Sequence, residues 1–262
     1  MRNPNLNPDG APAPVGSRLS LPAPPVVLQR PALFLDLDGV LAPLAETPEA
    51  VVPDARRTAL LRRLAGRLEG RVAIISGRTL AEIDRITDGA SAAASGVHGL
   101  ERRRADGSLD QVAAAPAVRD AVAAFGRFAR DRPGTIVEDK VVSAGLHFRG
   151  APDAAAEAGA LAHSLVGETG LALQAGNLVV ELKTPGTDKG TALKAFMGEP
   201  PFEGAVPVML GDDLTDEDGF RAAVELGGFG VLVGAPRHTS ARFGLPDVEA
   251  VLAWLDAVQV RP

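Results

Sequence analysis

The chain has 262 residues, 46% of them hydrophobic, with a formal net charge of −6, so it can bury a full core and falls between one large domain and two small ones. This mildly acidic balance lacks the basic footprint of a nucleic-acid binder, and an anionic substrate would need positive charge supplied locally by metal, Lys, Arg or helix N-termini. With no cysteine there are no disulfides, thiolate metal sites or cysteine nucleophiles; no apolar run approaches the ~20 residues of a membrane span and no signal-peptide pattern opens the chain, so a cytoplasmic protein without a membrane partner is expected.

In chain order, residues 1–30 come first, and eight of the 21 prolines fall between Pro4 and Pro31. No helical or alternating apolar pattern survives there, which predicts a flexible tail. Order begins with the short apolar run 32–35, ending at Asp36. Runs at 72–75, 207–210 and 229–233 follow the same plan, as strands buried on both faces of a parallel sheet do. Between them lie helical patterns: Leu60, Leu61, Leu64 and Leu68 share one face, and Thr79-x-x-Glu82 and Thr215-x-x-Asp218 look like capping boxes. Val248, Val251, Leu252, Leu255 and Val258 repeat at helical spacing near the end. Alternating strands and helices predict an α/β fold with a doubly wound, Rossmann-like parallel sheet, whose ligands bind beyond the strand ends.

The middle of the chain reads differently. Residues 141–148 alternate like a half-buried strand, Gly176-Asn177 suits a two-residue hairpin turn, and helical patterns occupy 115–130 and 153–167. The expectation is an α+β module over 105–185, inserted into a core formed by 31–104 and 186–262.

Polar residues cluster just after the buried runs. Asp36-Leu37-Asp38-Gly39 and Gly211-Asp212-Asp213-Leu214-Thr215-Asp216 each leave a strand. Either segment alone also suits a turn or a helix cap. Together, three or more carboxylates on one rim would repel one another without a cation, and hard oxygen ligands favour Mg²⁺. Ser76-Gly77-Arg78 sits between a strand and a helix start, where a hydroxyl and free N–H groups can hold an anion, although a plain strand-to-helix turn fits as well. Lys189 opens a helical stretch, against the helix dipole, and a bound phosphate would compensate it. The set describes phosphoryl transfer, with a carboxylate nucleophile, a second carboxylate for proton transfer, a hydroxyl, a lysine and a metal.

These segments, FLDLDGVLAPL, IISGR, the stretch at Lys189 and GDDLTDED, resemble the haloacid dehalogenase superfamily of aspartate-based phosphatases. The resemblance implies Asp36 as nucleophile and Asp38 as general acid/base. It implies Ser76 and Lys189 as phosphate ligands, flanked by Gly77 and Arg78. Asp36, Asp38 and Asp212 would surround Mg²⁺, with Asp213 or Asp216 in support. Val40 departs from the Thr of many relatives, a β-branched exchange that does not threaten activity. The module between motifs is similar to the cap of the sugar-phosphatase branch. GVHGLE, VEDKVVSAGLHFR and VVELKTPGTDKG look like trehalose-6-phosphate phosphatases. On that analogy Glu138, Lys140 and Glu181 hydrogen-bond sugar hydroxyls, with His98 and Arg149 as further candidates. His98 also suits a purely local role in its loop, Arg149 a solvated strand end, and His147 a packed histidine.

The resemblance thus implies Mg²⁺-dependent hydrolysis of trehalose 6-phosphate. Sucrose phosphate, a mannosyl phosphate or a hexose phosphate would need the same core motifs. A phosphomutase or a non-catalytic sensor are rival classes. A small sugar phosphate is the expected partner, and nothing in the residue pattern favours a dimer over a monomer.

Overall fold

A computed structural model describes residues 21–45, 47–176 and 178–261. The first part of the chain forms β1 (Val27–Gln29), β2 (Pro31–Leu35), α1 (Ala55–Arg67), β3 (Val72–Ile75), α2 (Leu80–Thr87), β4 (Ala93–Gly96), β5 (Glu101–Arg103) and β6 (Leu109–Gln111). The middle supplies α3 (Val118–Arg130), β7 (Ile136–Asp139), β8 (Ser143–His147), α4 (Ala155–Thr169), β9 (Ala172–Gly176) and β10 (Val179–Lys183). The chain closes with α5 (Lys189–Met197), β11 (Val206–Gly211), α6 (Glu217–Glu225), β12 (Phe229–Val233), β13 (Phe243–Leu245), α7 (Val248–Ala257) and β14 (Gln259–Arg261).

Eight strands build the large sheet in the order β13-β12-β11-β2-β3-β4-β5-β6. Pairing is parallel from β13 to β4 and antiparallel at the last two strands. The central strand β2 is buried along its whole length because helices cover both faces. Alternation sends Leu33 and Leu35 into a core with Leu60, Leu64, Ile83 and Val251, while Phe34 faces Phe196, Phe202 and Phe220. The Phe34, Phe196 and Phe202 rings lie 5.3–6.1 Å apart between centroids, a spacing at which aromatic contacts add to area burial. The expected α/β architecture with a parallel central sheet is the one found.

Three local expectations change. Residues 27–29, assigned from composition to a tail, form a strand that pairs in parallel with β14. Leu28 is buried there, and the Trp254 indole donates to the Pro25 carbonyl at 3.2 Å, so packing against the C-terminal helix overrides the proline-rich composition. Residues 1–20 lie outside the described residues. The large sheet also continues to Gln111, beyond residue 104. Its charged edge hairpin shows no apolar alternation, and Arg103 secures it with a fork to Asp84 at 2.7 Å on both arms. Finally, the capping box before α6 is Asp213 with Asp216, because Asp213 is the last extended residue; Thr215 already lies in the short 3₁₀ turn. The Thr79–Glu82 box forms as expected.

The middle segment forms a separate antiparallel sheet, β7-β8-β10-β9. Its alternation separates two faces: Ala144, Leu146, Val180 and Leu182 pack with Phe125 of α3 and Leu165 of α4, whereas Glu138, Gly145, Glu181 and Gln174 form one cross-strand row on the other face. Val179 pairs with Gly176, so the two-residue connection is 177–178, one residue later than the Gly176-Asn177 turn expected from the sequence; Asn177 itself lies outside the described residues. Among the described residues no helix is long and apolar enough to cross a membrane.

Candidate active site

β2 and β11 are neighbours in the sheet, so the acidic segments that follow them leave from the same rim. The Asp36 N–H donates to the Leu210 carbonyl at 3.0 Å, extending the ladder by one residue. Gly39 has φ +75°, and a Cβ there would overlap the Asp212 carboxylate. Only glycine lets the turn after β2 pass that close. Lys189 enters from the first turn of α5, whose start is fixed by Asp188 accepting from the Thr191 N–H at 2.7 Å.

The Lys189 ammonium is buried between two carboxylates, 3.0 Å from Asp36 Oδ2 and 2.7 Å from Asp216 Oδ1. Asp216 is fully buried, and its other oxygen accepts from the N–H groups of Asp212 and Asp213 at 3.0 and 3.1 Å. Asp36, Asp212 and Asp216 each present an oxygen within 4.8 Å of the others. Burial raises the pKa of Asp36 well above its ordinary value, and repulsion from Asp216, Asp212 and Asp38 adds to it against the pull of Lys189. Burial, then Asp216, pushes Asp212 up to about 7. Burial opposes the charge on Lys189, yet Asp216 and Asp36 outweigh it and hold its pKa above the usual value. Three crowded carboxylates with one ammonium leave surplus negative charge, and an all-oxygen donor set of this kind fits a hard divalent cation.

Ser76 is buried at the end of β3, and its hydroxyl accepts from the Arg78 N–H at 3.3 Å. Ser76, Gly77, Asp36, Lys189 and Asp212 line one chamber of about 140 Å³. The Arg78 side chain points elsewhere. Its guanidinium forks onto Asp38 at 2.7 and 2.8 Å and also reaches the Pro48 carbonyl at 2.9 Å and Glu82 at 3.2 Å. The sequence led us to expect Asp38 at the metal and Arg78 on phosphate; here they satisfy each other, a bidentate match available to Arg and not to Lys. The Asp213 carboxylate likewise stands outside the acidic triad and caps the Leu214 N–H at 2.5 Å.

A larger cleft of about 650 Å³ opens between the rim and the polar face of the small sheet, lined by Glu138, Lys140, Glu181, His98 and Arg149. Lys140 lines it, 3.3 Å from both Glu138 and Glu181, and donates to the Gly77 carbonyl of the large-sheet rim at 2.9 Å. Burial opposes ionisation of both Lys140 and Glu181, but their pairing prevails, raising the lysine and holding the Glu181 carboxyl well below the usual range. His147, left open by the sequence as a packed histidine, sits 2.8 Å from Glu138. The hairpin register carries that signal: Ile136 is opposite His147, so Glu138 lies diagonally on the same face, with Gly145 leaving room. Leu44 and Val179 line both chambers and had no sequence signal beyond being apolar.

A family model described as trehalose-phosphatase matches residues 34–249, from the end of β2 to the start of α7, with the whole small sheet inside it. The chain belongs to the trehalose-phosphatase family. The trehalose-6-phosphate phosphatase of Escherichia coli (strain K12) is 39% identical over 229 residues, covering 87% of this chain and 86% of that protein. A probable trehalose-phosphate phosphatase of Sinorhizobium fredii is 37% identical over 230 residues, covering 87% of each. The solved C-terminal domain of Candida albicans trehalose-6-phosphate phosphatase shares the fold with a TM-score of 0.79, over 88% of this chain and 93% of that one, at 24% identity. As a member of the trehalose-phosphatase family the chain is a phosphatase, and it shares its fold, with a TM-score of 0.57 at 19% identity, with a solved Bacteroides thetaiotaomicron phosphatase of the haloalkanoate (HAD) enzyme superfamily.

Proposed function

We propose that this phosphatase hydrolyses trehalose 6-phosphate to trehalose and inorganic phosphate through a phosphoryl-enzyme on Asp36, with a catalytic core built on the large sheet, its edge strands to Gln111 included, and a substrate-selecting cap built on the small sheet. The observation that carries the reading is the juxtaposition of a buried Asp36–Lys189 pair, 3.0 Å apart, with a row of sugar-compatible polar groups across the cleft.

In the first step an Asp36 oxygen forms a bond to phosphorus as the bond from phosphorus to the sugar oxygen breaks, and Asp38 donates a proton to that leaving oxygen. In the second, Asp38 takes a proton from water; the water oxygen bonds to phosphorus and Asp36 leaves as carboxylate. The Ser76 hydroxyl, the N–H groups at Gly77 and Arg78 and the Lys189 ammonium hold the phosphoryl oxygens and offset their charge. For Asp38 to act, its carboxylate must turn out of the Arg78 fork. Asp36 and Asp212 would hold a divalent cation, proposed as Mg²⁺, with Asp38, Asp213 and Asp216 in support. When bound, such a cation neutralises the carboxylates and the phosphoryl charge.

Glu138, Lys140 and Glu181 hydrogen-bond the glucose hydroxyls, with His98 and Arg149 beside them. A site built to pair hydroxyls discriminates strongly against substrates that lack them. The test is a panel of trehalose 6-phosphate, sucrose 6-phosphate, glucose 6-phosphate and mannosyl phosphates with Mg²⁺. A clear preference in kcat/KM for trehalose 6-phosphate is expected. Equal turnover of all members would show that the cap does not select trehalose, and preference for another member that it selects a different sugar.

A further inference from the structure

The turn that carries Asp212 is gripped from two sides. On the inner side the N–H groups of Asp212 and Asp213 both donate to Asp216 Oδ2, and Gly211 lies so close to Asp216 that a Cβ there would overlap its carboxylate. On the outer side stands Arg237, from the loop 234–242 that follows β12. Its Nη2 donates to the Asp213 carbonyl at 2.7 Å, and its Nη1 donates to the His238 carbonyl at 3.1 Å and to Glu217. Glu217 is the first residue of α6 and accepts in turn from the Ser240 N–H at 2.7 Å. One guanidinium thus ties the rim loop after β12 to the rim loop after β11 and to the helix that follows it.

An ordinary surface arginine would not take this pose. Ala235, Pro236, His238 and Ser240 around it are exposed, whereas the Arg237 side chain turns inward, 24% exposed, onto a Glu217 side chain that is 12% exposed. Its Nε is buried without a hydrogen-bond partner, a cost that turning out into water would relieve. An ion pair with Glu217 alone needs no particular orientation; the second arm on a main-chain carbonyl fixes the plane of the fork. That carbonyl also accepts the Asp216 N–H at 3.2 Å, which closes the short turn leading to Asp216. Asp212 and Asp216 are two of the three carboxylates of the acidic triad. Arg237 lines neither chamber, while Asp212 and Asp213 both line the inner one, so any influence on the site passes through the turn.

We propose that Arg237, braced by Glu217, is a positioning residue for the cation site, holding the Asp212–Asp216 turn in the geometry that Mg²⁺ requires. This rests on the divalent-cation reading above. Mg²⁺ is small and demands near-ideal octahedral coordination with short bonds, so a small shift of one carboxylate is felt in its affinity. Ca²⁺ accepts more ligands in a flexible arrangement and tolerates the same shift. A brace on the backbone of the ligand turn therefore governs which ion the site prefers as well as how tightly it binds. The charge of Arg237 is already matched by Glu217, which leaves geometry as the quantity that the pair controls.

The experiment titrates metal-free wild type, Arg237→Ala, Arg237→Lys and Asp247→Ala with Mg²⁺ and separately with Ca²⁺ in a calorimeter, at about pH 8, where the carboxylates are ionised. Asp247→Ala removes the N-cap of α7 and controls for a general loss of stability. Expected for Arg237→Ala is a Mg²⁺ dissociation constant raised on the order of tenfold, the low end of what outer-shell partners cost. Ca²⁺ binding should weaken by about threefold or less. Arg237→Lys keeps the charge opposite Glu217 but not the planar fork, and should weaken Mg²⁺ in the same direction. Asp247→Ala should bind both ions as wild type does. Mg²⁺ binding by Arg237→Ala within about twofold of wild type would overturn the inference. So would equal losses for the two ions, or a loss of the same size in Asp247→Ala. Where Arg237→Ala is too unstable to titrate, Arg237→Lys decides on the same criteria. A wild type that binds no divalent cation would overturn the cation reading and this inference with it, whereas wild-type binding left unaltered in the variants overturns this inference alone.

Discussion

At the scale of single residues the site is governed by uncompensated charge. The Asp212 pKa stands at about 7 against 3.8 for a free carboxyl, chiefly through burial and Asp216. A carboxyl raised in the folded state binds more protons folded than unfolded between those two values. Its contribution to stability is fully present below pH 3.8 and is lost as pH rises through about 7. The metal-free protein should therefore lose melting temperature between about pH 4 and pH 7 relative to Asp212→Asn, which has no proton to lose. Added Mg²⁺ should raise the melting temperature more at about pH 8 than at about pH 6, because only the ionised site binds it. Differential scanning fluorimetry of both proteins, with and without the ion, checks this; parallel curves would mean that Asp212 is not the group controlling the window. The meeting of Asp36, Asp212 and Lys189 was legible in the sequence because strand ends on one rim and a helix start are short-range features. The Asp38–Arg78 fork was not, since a pairing across 40 residues depends on how the loop at Pro48 and α2 bring the guanidinium round. The strain at Val97 was equally invisible, because a β-branched residue does not advertise a left-handed backbone.

At the scale of elements, buried parallel strands and capped helices were the most readable parts. Four short apolar runs became β2, β3, β11 and β12 nearly residue for residue, since a strand covered on both faces has no other composition available. The C-terminal periodicity became α7, with Asp247 as its N-cap accepting from the Ala250 N–H at 2.8 Å. Replacing that cap by alanine leaves one helical N–H unpaired at the surface. Asp247→Ala should cost about 1 kcal/mol in urea unfolding and leave kcat unchanged; an unaltered midpoint would show that water replaces the cap fully. The edge hairpin β5–β6 and the strand β1 were missed for a common reason. Their charged or proline-rich segments are held by tertiary partners, Asp84 for Arg103 and the C-terminal β14 for residues 27–29, and local composition does not record those.

At the scale of the whole molecule the two sheets face each other across the cleft, and few contacts join them. Lys140 reaches the Gly77 carbonyl, and Val142 packs with Val97 and Leu100. The Thr184 hydroxyl donates to the Val142 carbonyl and accepts from the Ala115 N–H, both at 3.0 Å, tying together the two segments that lead into and out of the small sheet. Sugar-facing and phosphate-facing residues thus meet only where the sheets meet, and a substrate that touches both halves is the natural partner for such a cleft. The measurement that bears most directly on this account is phosphate release from trehalose 6-phosphate by wild type and by Asp36→Asn, each with Mg²⁺ and with EDTA. Release by wild type that EDTA abolishes, and that Asp36→Asn lowers by at least about a thousandfold, is the predicted result. Release that survives either the substitution or the chelator would contradict an aspartyl-phosphate mechanism at this site.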